Sequence, residues 1–301
     1  MAFTFRYGEK LNHGIRRIAH ECIQHTLRQL QNEAVDRSTA IHEARKTFKR
    51  LRSLLRLVRF ETGDDFYREQ NIFYRDLGRK LSVARDAHVA GETLDMLLHL
   101  YADLVDHHEQ QPLREALLAR KYDLERQVAE DRATIDLVIA ELEEARKAIK
   151  NWPKLPHRFG TLRKGLETVY AKGQAAMEEA AKAPFTDAFH EWRKQVKHLL
   201  YQLYLLSDTW PAVLVPFAET VDYLSDLLSQ DHDLAVLQQM VREDEWARPY
   251  REAFELLDPH LEEMRADLQD ATWPVARRIY AEAPEAFVQR MKQYWKVKYK
   301  E

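Results

Sequence analysis

An almost wholly α-helical fold is what this chain predicts, and three observations carry the prediction. Apolar residues recur at spacings of three and four along nearly the whole length, and the strict alternation of a half-buried strand is missing. Only eight Gly and ten Pro stand among 301 residues, too few for the turn-rich connections of a sheet protein. The stretch IHEARKTFKRLRSLLRLV at 41–58 also returns as FHEWRKQVKHLLYQLYLL at 189–206, so that His42, Glu43, Arg45, Lys46 and Lys49 meet His190, Glu191, Arg193, Lys194 and Lys197. A match of that kind across half a chain argues for internal duplication.

In chain order, the first helix is expected over about 9–31, with Ile15, Ile18, Cys22, Ile23 and Leu27 inward and Arg16 and Arg17 on a neighbouring face. The second runs from Ser38 or Thr39, either of which can cap it, to about Phe60, with Gly63 beyond its end. A third, about 64–83, carries Arg68, Arg75 and Arg79, and a fourth opens near Asp86, where the helix dipole favours a carboxylate. A long charged helix is expected over 113–150. The segment NWPKLPHRFG at 151–160, with two prolines and a glycine, then reads as a boundary, dividing the chain into 1–152 and 153–301.

The second half repeats the plan. Arg163 and Lys164 follow Arg16 and Arg17, and a helix over 161–182 holds Tyr170 and Lys172. Pro184 suits the first turn of the His190 helix, which should end near Trp210. Segments 213–229 and 231–242 read as separate helices, with Leu224, Leu228, Ser229, Asp233 and Val236 answering Leu77, Leu81, Ser82, Asp86 and Val89. Further helices are expected over 249–269, 273–281 and from Pro284 to the basic, aromatic end WKVKYK.

On a helix, Arg45, Lys49, Arg52, Arg56 and Arg59 fall within an arc of about 80°, with His42 and Lys46 at its edge. Ala44, Phe48, Leu51, Leu55 and Val58 repeat that spacing one residue earlier, so the cations border a packed seam. A solvated helix face ordinarily mixes charges at i,i+4, because like-charge neighbours cost a few tenths of a kcal/mol per pair. Here no acid within the stripe relieves them, and a counter-anion from outside is the natural partner. Arginine forks and lysine ammonium groups both match phosphate oxygens.

Bulk properties exclude several classes. With 46 Lys and Arg against 49 Asp and Glu the chain is not basic overall, so an anion site must arise from local clustering. The single Cys22 rules out an internal disulfide framework and suits a reducing, cytoplasmic setting. No apolar run approaches the roughly 18–20 residues of a spanning helix, and no signal-peptide pattern opens the chain; a soluble protein without a membrane partner is expected.

Several fragments resemble catalytic motifs without completing one. His20-Glu21 with His25 resembles a zincin helix, but its histidines are five apart where four are needed to share a face. At His42-Glu43 and His190-Glu191 the second ligand position holds Lys46 or Lys194. His232-Asp233 has the look of an HD phosphohydrolase without its other metal-binding histidines. Neither a Gly-rich phosphate loop nor a nucleophile motif is present. A non-catalytic binding protein is therefore expected, with neither metal nor cofactor.

Taken together, IHEARKTFKRLRSLLRL, its echo FHEWRKQVKHLLYQL, and the later LSVARDAHV and LSQDHDLAV make the chain resemble the CHAD family, the conserved histidine α-helical domain. That resemblance implies two antiparallel four-helix bundles related by a pseudo-twofold axis, a basic furrow between them lined by the His-x-x-Arg-Lys helices, and inorganic polyphosphate as ligand, with association to polyphosphate granules. It also implies contact residues: Arg45, Lys46, Lys49, Arg52 and Arg56 in the first repeat, and Arg193, Lys194 and Lys197 in the second. Arg16, Arg17, Arg79, Arg163, Lys164 and Lys172 are further candidates. His42 and His190 read equally as protonated donors or as neutral structural groups; Tyr170 and Tyr201 read first as packing. Some family members carry a triphosphate-tunnel domain marked by ExExK, and that motif does not occur here.

The second repeat departs from the first, with His198, Leu200 and Tyr204 where the first has Arg50, Arg52 and Arg56, so the two should not contribute equally. Asp86 and Asp233 are expected as helix caps or partners of a cation, and the C-terminal WKVKYK as a solvated tail with scope for an anion contact. A nucleic-acid or other polyanion scaffold is the alternative. It is disfavoured because Phe48, the one aromatic in 41–58, lies on the apolar stripe, while Trp192 and Tyr201 in the second repeat keep it open.

Overall fold

The computed structural model describes residues 3–81 and 132–299 apart from 256, together with 93, 95–96, 111–112, 114–116, 118–120, 122–123 and 126 between them. The chain is all-α, and among the described residues no strand occurs. Its principal helices are α1 (Leu11–Gln31), α2 (Arg37–Thr62), α3 (Asp64–Lys80), α4 (Arg132–Ala148), α5 (Gly160–Lys182), α6 (Thr186–Leu206) and α7 (Pro211–Glu243). The short α8 (Arg251–Glu255), α9 (Asp258–Ile279) and α10 (Pro284–Tyr299) complete the order. No helix among the described residues is long and apolar enough to cross a membrane. The LSVARDAHV segment beyond Leu81, with Arg85 and Asp86, and positions 113, 117, 121, 124–125 and 127–131 of the expected 113–150 helix lie outside the described residues, and the last part of that helix is α4.

Two compact units divide the chain otherwise than a cut near 152/153: one comprises Met1–Leu81, Ala133–Ser225 and Val275–Glu301, the other Ser82–Arg132 and Asp226–Pro274. Each half of the sequence contributes to each unit. In the first unit the reason is α2, which packs against α1 and α3 from its own half and against α5 and α6 from the second. Such a helix must be apolar over more than one stripe. Besides Ala44, Phe48, Leu51, Leu55 and Val58, it buries Ala40, Leu54 and Leu57, with Thr47 and Ser53. At Gly165 of α5 a Cβ would lie 2.1 Å from the carbonyl oxygen of Leu57, so only glycine admits α5 this close to α2.

Several local expectations change. Asp36, not Ser38 or Thr39, caps α2; its Oδ2 accepts from the Thr39 amide at 2.8 Å and from Thr39 Oγ1 at 2.9 Å. Gly63 ends α2 as expected, at φ 90°, where its amide donates to the Arg59 carbonyl at 3.0 Å. Pro184 precedes α6 instead of opening it, in the link before Thr186.

The two helices expected over 213–242 are a single α7, because Ser229, Gln230 and Asp231 include no residue that breaks a helix. Asp233 therefore sits mid-helix and cannot be an N-cap. Nor is the 151–160 segment an open linker: it buries Trp152, Leu155 and Phe159. At the C-terminus Trp295 is buried, and Lys298, with a side chain only 5% exposed, is bound to the carboxylate and carbonyl of Asp208, so this end packs instead of trailing in solvent.

The second unit has its own core of Leu234, Leu237, Val241, Ala247, Phe254, Leu257 and Leu261. Beside it Asp231, 2% exposed, accepts from Arg265 Nε at 3.0 Å and Gln269 Nε2 at 2.9 Å, while Arg265 Nη1 donates to Gln238 at 2.9 Å. A buried carboxylate held this way has its charge matched and its lone pairs occupied.

Candidate functional site

The cation stripe of α2 is bordered on one side by α3 and on the other by α6. Toward α3, Arg52 Nε donates to Asn71 Oδ1 at 3.0 Å and the Arg56 guanidinium lies 6.0 Å from the Tyr67 ring. Arg45 Nη1 reaches the Leu81 carbonyl, just past α3, at 3.3 Å. Toward α6, Ser53 Oγ donates to the His198 carbonyl at 2.9 Å, fixing the two similarly written helices against each other at this level.

Around that contact cations predominate. Burial first, then the charges of Arg56, Arg52, Lys194 and Lys172, hold the His198 imidazole well below the ordinary histidine range. For Arg52, burial and then Arg56, with Arg75 and Arg79 of α3 beyond, weaken the hold on the proton against an opposing effect of Tyr67. Arg56 is lowered by burial and by Arg59, with Tyr67 and Glu191 acting the other way. Cations from α2, α5 and α6 thus bear on His198, and cations from α2 and α3 on Arg52. Two nitrogens there, Arg56 Nη1 and His198 Nδ1, are buried without a hydrogen-bond partner among the described residues.

Of the expected contact residues, the structure gathers Arg52, Arg56, Lys172, Lys194 and Arg79 here. Lys46 and Lys194 each also pair with a glutamate on their own helix, Glu43 and Glu191, in half-exposed i,i+3 bridges of the kind that contributes little. Lys197 donates to Ser225 Oγ at 2.6 Å. His190 is lowered by burial and then by Lys194 and Arg193, against Glu191 and Asp187, so its proton is disfavoured as well. His42 and Lys49 lie on the same face of α2, half-buried and exposed respectively.

Arg163 and Lys164 sit elsewhere, at the start of α5, where Lys164 lies 5.9 Å from the exposed ring of Phe60 and Arg163 is 3.7 Å from Glu167.

Arg16 and Arg17, expected as further candidates, are engaged within the chain. Arg17, 10% exposed, donates to Glu9 Oε1 at 2.7 Å, Glu21 Oε2 at 3.0 Å and the Thr4 carbonyl at 3.0 Å. Arg16 Nη1 donates to the Lys150 carbonyl at 3.1 Å, and its other terminal nitrogen to that of Trp152. Arg17 has its charge matched by two carboxylates, whereas Arg16 is held by two carbonyls and keeps a buried Nε without a partner among the described residues.

Sequence reasoning passed over Arg75, Asn71 and His198 as members of the site. The helical spacing of Arg75 and Arg79, and the departure of His198 from the first repeat, were the available signals. Among the described residues no group of three or more His, Cys, Asp or Glu is placed to hold a metal ion.

A family model for the CHAD domain matches residues 17–242, which takes in α2, α6 and the cation cluster between them. Comparison with curated proteins gives no match.

Proposed function

We propose that this chain, which belongs to the CHAD domain family, is a non-catalytic binding protein for inorganic polyphosphate, held along the cation stripe of α2 where α3, α5 and α6 bring further cations to it. The observation that carries the reading is the packing of α6 on the cation stripe of α2, fixed by the Ser53 hydroxyl on the His198 carbonyl at 2.9 Å, which brings Arg52, Arg56, Lys194 and Lys172 to bear on one residue. A polymer bearing about one negative charge per phosphate has no base, sugar or stereocentre to read. Repeated donors along a path therefore suit it better than a closed pocket. Its attraction to such donors should come largely from released counterions and weaken steeply with salt. Each well-placed arginine or lysine contact contributes on the order of 1 kcal/mol.

The decisive experiment is charge reversal, Arg45→Glu with Arg193→Glu, followed by polyphosphate retention, circular dichroism and thermal melting. Retention is expected to vanish while helicity and melting temperature stay near their original values. Wild-type retention in the variant, or collapse of its fold, would sink the reading.

Nucleic acid as ligand has one observation in its favour, the exposed Phe60 ring flanked by Arg59 at 5.7 Å and Lys164 at 5.9 Å. Cations beside an exposed ring are the composition that base stacking uses. Competition between polyphosphate and RNA of equal charge separates the two, and preference for RNA would replace polyphosphate as the ligand.

A further inference from the structure

We infer that His198 is a proton-coupled contact of the polyanion site, neutral in the free protein and protonated when a polyphosphate chain occupies the cation cluster. The inference rests on the polyphosphate reading and adds to it a residue and a dependence on pH.

Geometry comes first. The Ser53 hydroxyl bonded to the His198 carbonyl at 2.9 Å sets residue 198 of α6 beside Arg52 and Arg56 of α2, which occupy one face of that helix four residues apart. On α6 itself Lys194 lies four residues earlier on the same face. From α5 comes Lys172. The largest charge effects on His198, from Arg56, Arg52, Lys194 and Lys172, are all from cations, and the nearby acid Glu191 is engaged by Lys194.

A second observation points to a ligand atom. His198 Nδ1 and Arg56 Nη1 are both buried and both without a partner among the described residues. Arg56 offers a donor. A neutral histidine offers at most one N–H, but the protonated ring donates from both nitrogens. An anionic oxygen is the kind of acceptor that satisfies the guanidinium and, at the same time, makes the second imidazole proton favourable. His198 as a residue is not fully buried, which leaves solvent a route to it.

The step balances simply: free protein plus polyphosphate plus one proton from solvent gives the complex with an imidazolium at His198. Removing the repulsion of four cations by adding their counter-anion raises the affinity of the ring for its proton, and linkage requires that the proton raise the affinity for the anion equally. Affinity should therefore rise as pH falls, by at most about tenfold per pH unit for one proton.

The test uses the full chain, long-chain inorganic polyphosphate and isothermal titration between pH 8 and pH 6, in buffers of different ionisation heat. The wild type is expected to bind several-fold tighter at pH 6 and to take up protons on binding. His198→Gln should lose that uptake, whereas His198→Arg, which restores the residue type of Arg50 in the first repeat, should bind without it. His190→Gln removes the other depressed histidine and separates its contribution. Ring-proton resonances of wild-type His198, free and bound, report the same transition without any substitution, and they decide the matter should a variant fail to fold.

An unchanged pH dependence in His198→Gln, or a His198 resonance that titrates alike in the free and bound states, would overturn the inference while leaving polyphosphate binding intact. Absence of polyphosphate binding at every pH would overturn the reading beneath it, and the inference with it.

Discussion

Arg17 on α1 and Arg56 on α2 are the same residue type on the flank of an amphipathic helix, and the fold uses them in opposite ways. Arg17 is surrounded by acceptors, two carboxylates and a carbonyl, and the carboxylates raise its pKa, chiefly through its hydrogen bond to Glu9. Arg56 is half-buried among other cations and an aromatic ring, with one nitrogen unpartnered, and burial lowers its pKa. The first arrangement is closed, its charge matched within the chain. The second is open, stable only because the apolar seam of α2 forces the charges together. A basic residue on a helix therefore reveals little by itself; the sign of what surrounds it separates a structural clamp from a binding face.

The comparison can be broken most severely at the clamp. Arg17→Met takes from Glu9, with a side chain 6% exposed, its principal charge partner and leaves only the Arg6 amide and His13. The expected loss of unfolding free energy is about 3–5 kcal/mol, measured by urea denaturation. Polyphosphate affinity of the folded fraction should not change. A variant that keeps its stability but loses binding would place Arg17 in the site after all.

The converse substitution has a smaller effect, and on the other quantity. Arg52→Gln with Arg56→Gln removes like charges that repel one another, so the melting temperature should hold or rise slightly. Binding should weaken by about 2 kcal/mol, roughly thirtyfold, if each arginine contributes about 1 kcal/mol. Function that costs stability at the site that performs it is a common arrangement. A fall in melting temperature without loss of affinity would mean that these arginines are structural, and the contrast with Arg17 would dissolve.

Much of this was written locally in the chain and some of it was not. Helicity, the cation stripe and the end of α2 at Gly63 depend on periodicity and on one backbone conformation, both of which sequence shows directly. Glu21, four residues after Arg17, was equally legible as its partner. The role of Arg16 was not, since its acceptors are carbonyls of Lys150 and Trp152, distant in sequence and without side-chain identity. Continuity of α7 was missed because the repeat suggested a break that no breaker residue enforces. Asp233 lost its expected capping role for the same reason. His198 looked like a weakness of the second repeat, and only the packing of α6 on α2 shows that it is ringed by the cations of the first.

The smallest expected effect, and the one that compares the two regions in a single experiment, is the dependence of stability on pH. Glu9 is held down to about 2 against burial, which opposes this, by its hydrogen bonds from Arg17, the Arg6 amide and His13. Its contribution is present above the ordinary carboxylate range and is lost as pH falls from about 4.5 to about 2. His198 and His190 are depressed too, so the unfolded chain binds their protons first, and stability declines as pH falls below the ordinary histidine value of 6.5. Melting temperature should thus fall in two stages, the cation cluster failing first and the clamp later. His198→Gln with His190→Gln should flatten the first stage, and Glu9→Gln the second. Bound polyphosphate should suppress the first alone, because an anion in the cluster makes those protons welcome. A melting temperature that stays level between pH 7 and pH 5 in the free protein would mean that the cluster is not electrostatically open, and the distinction between the two kinds of arginine would then lack its physical basis.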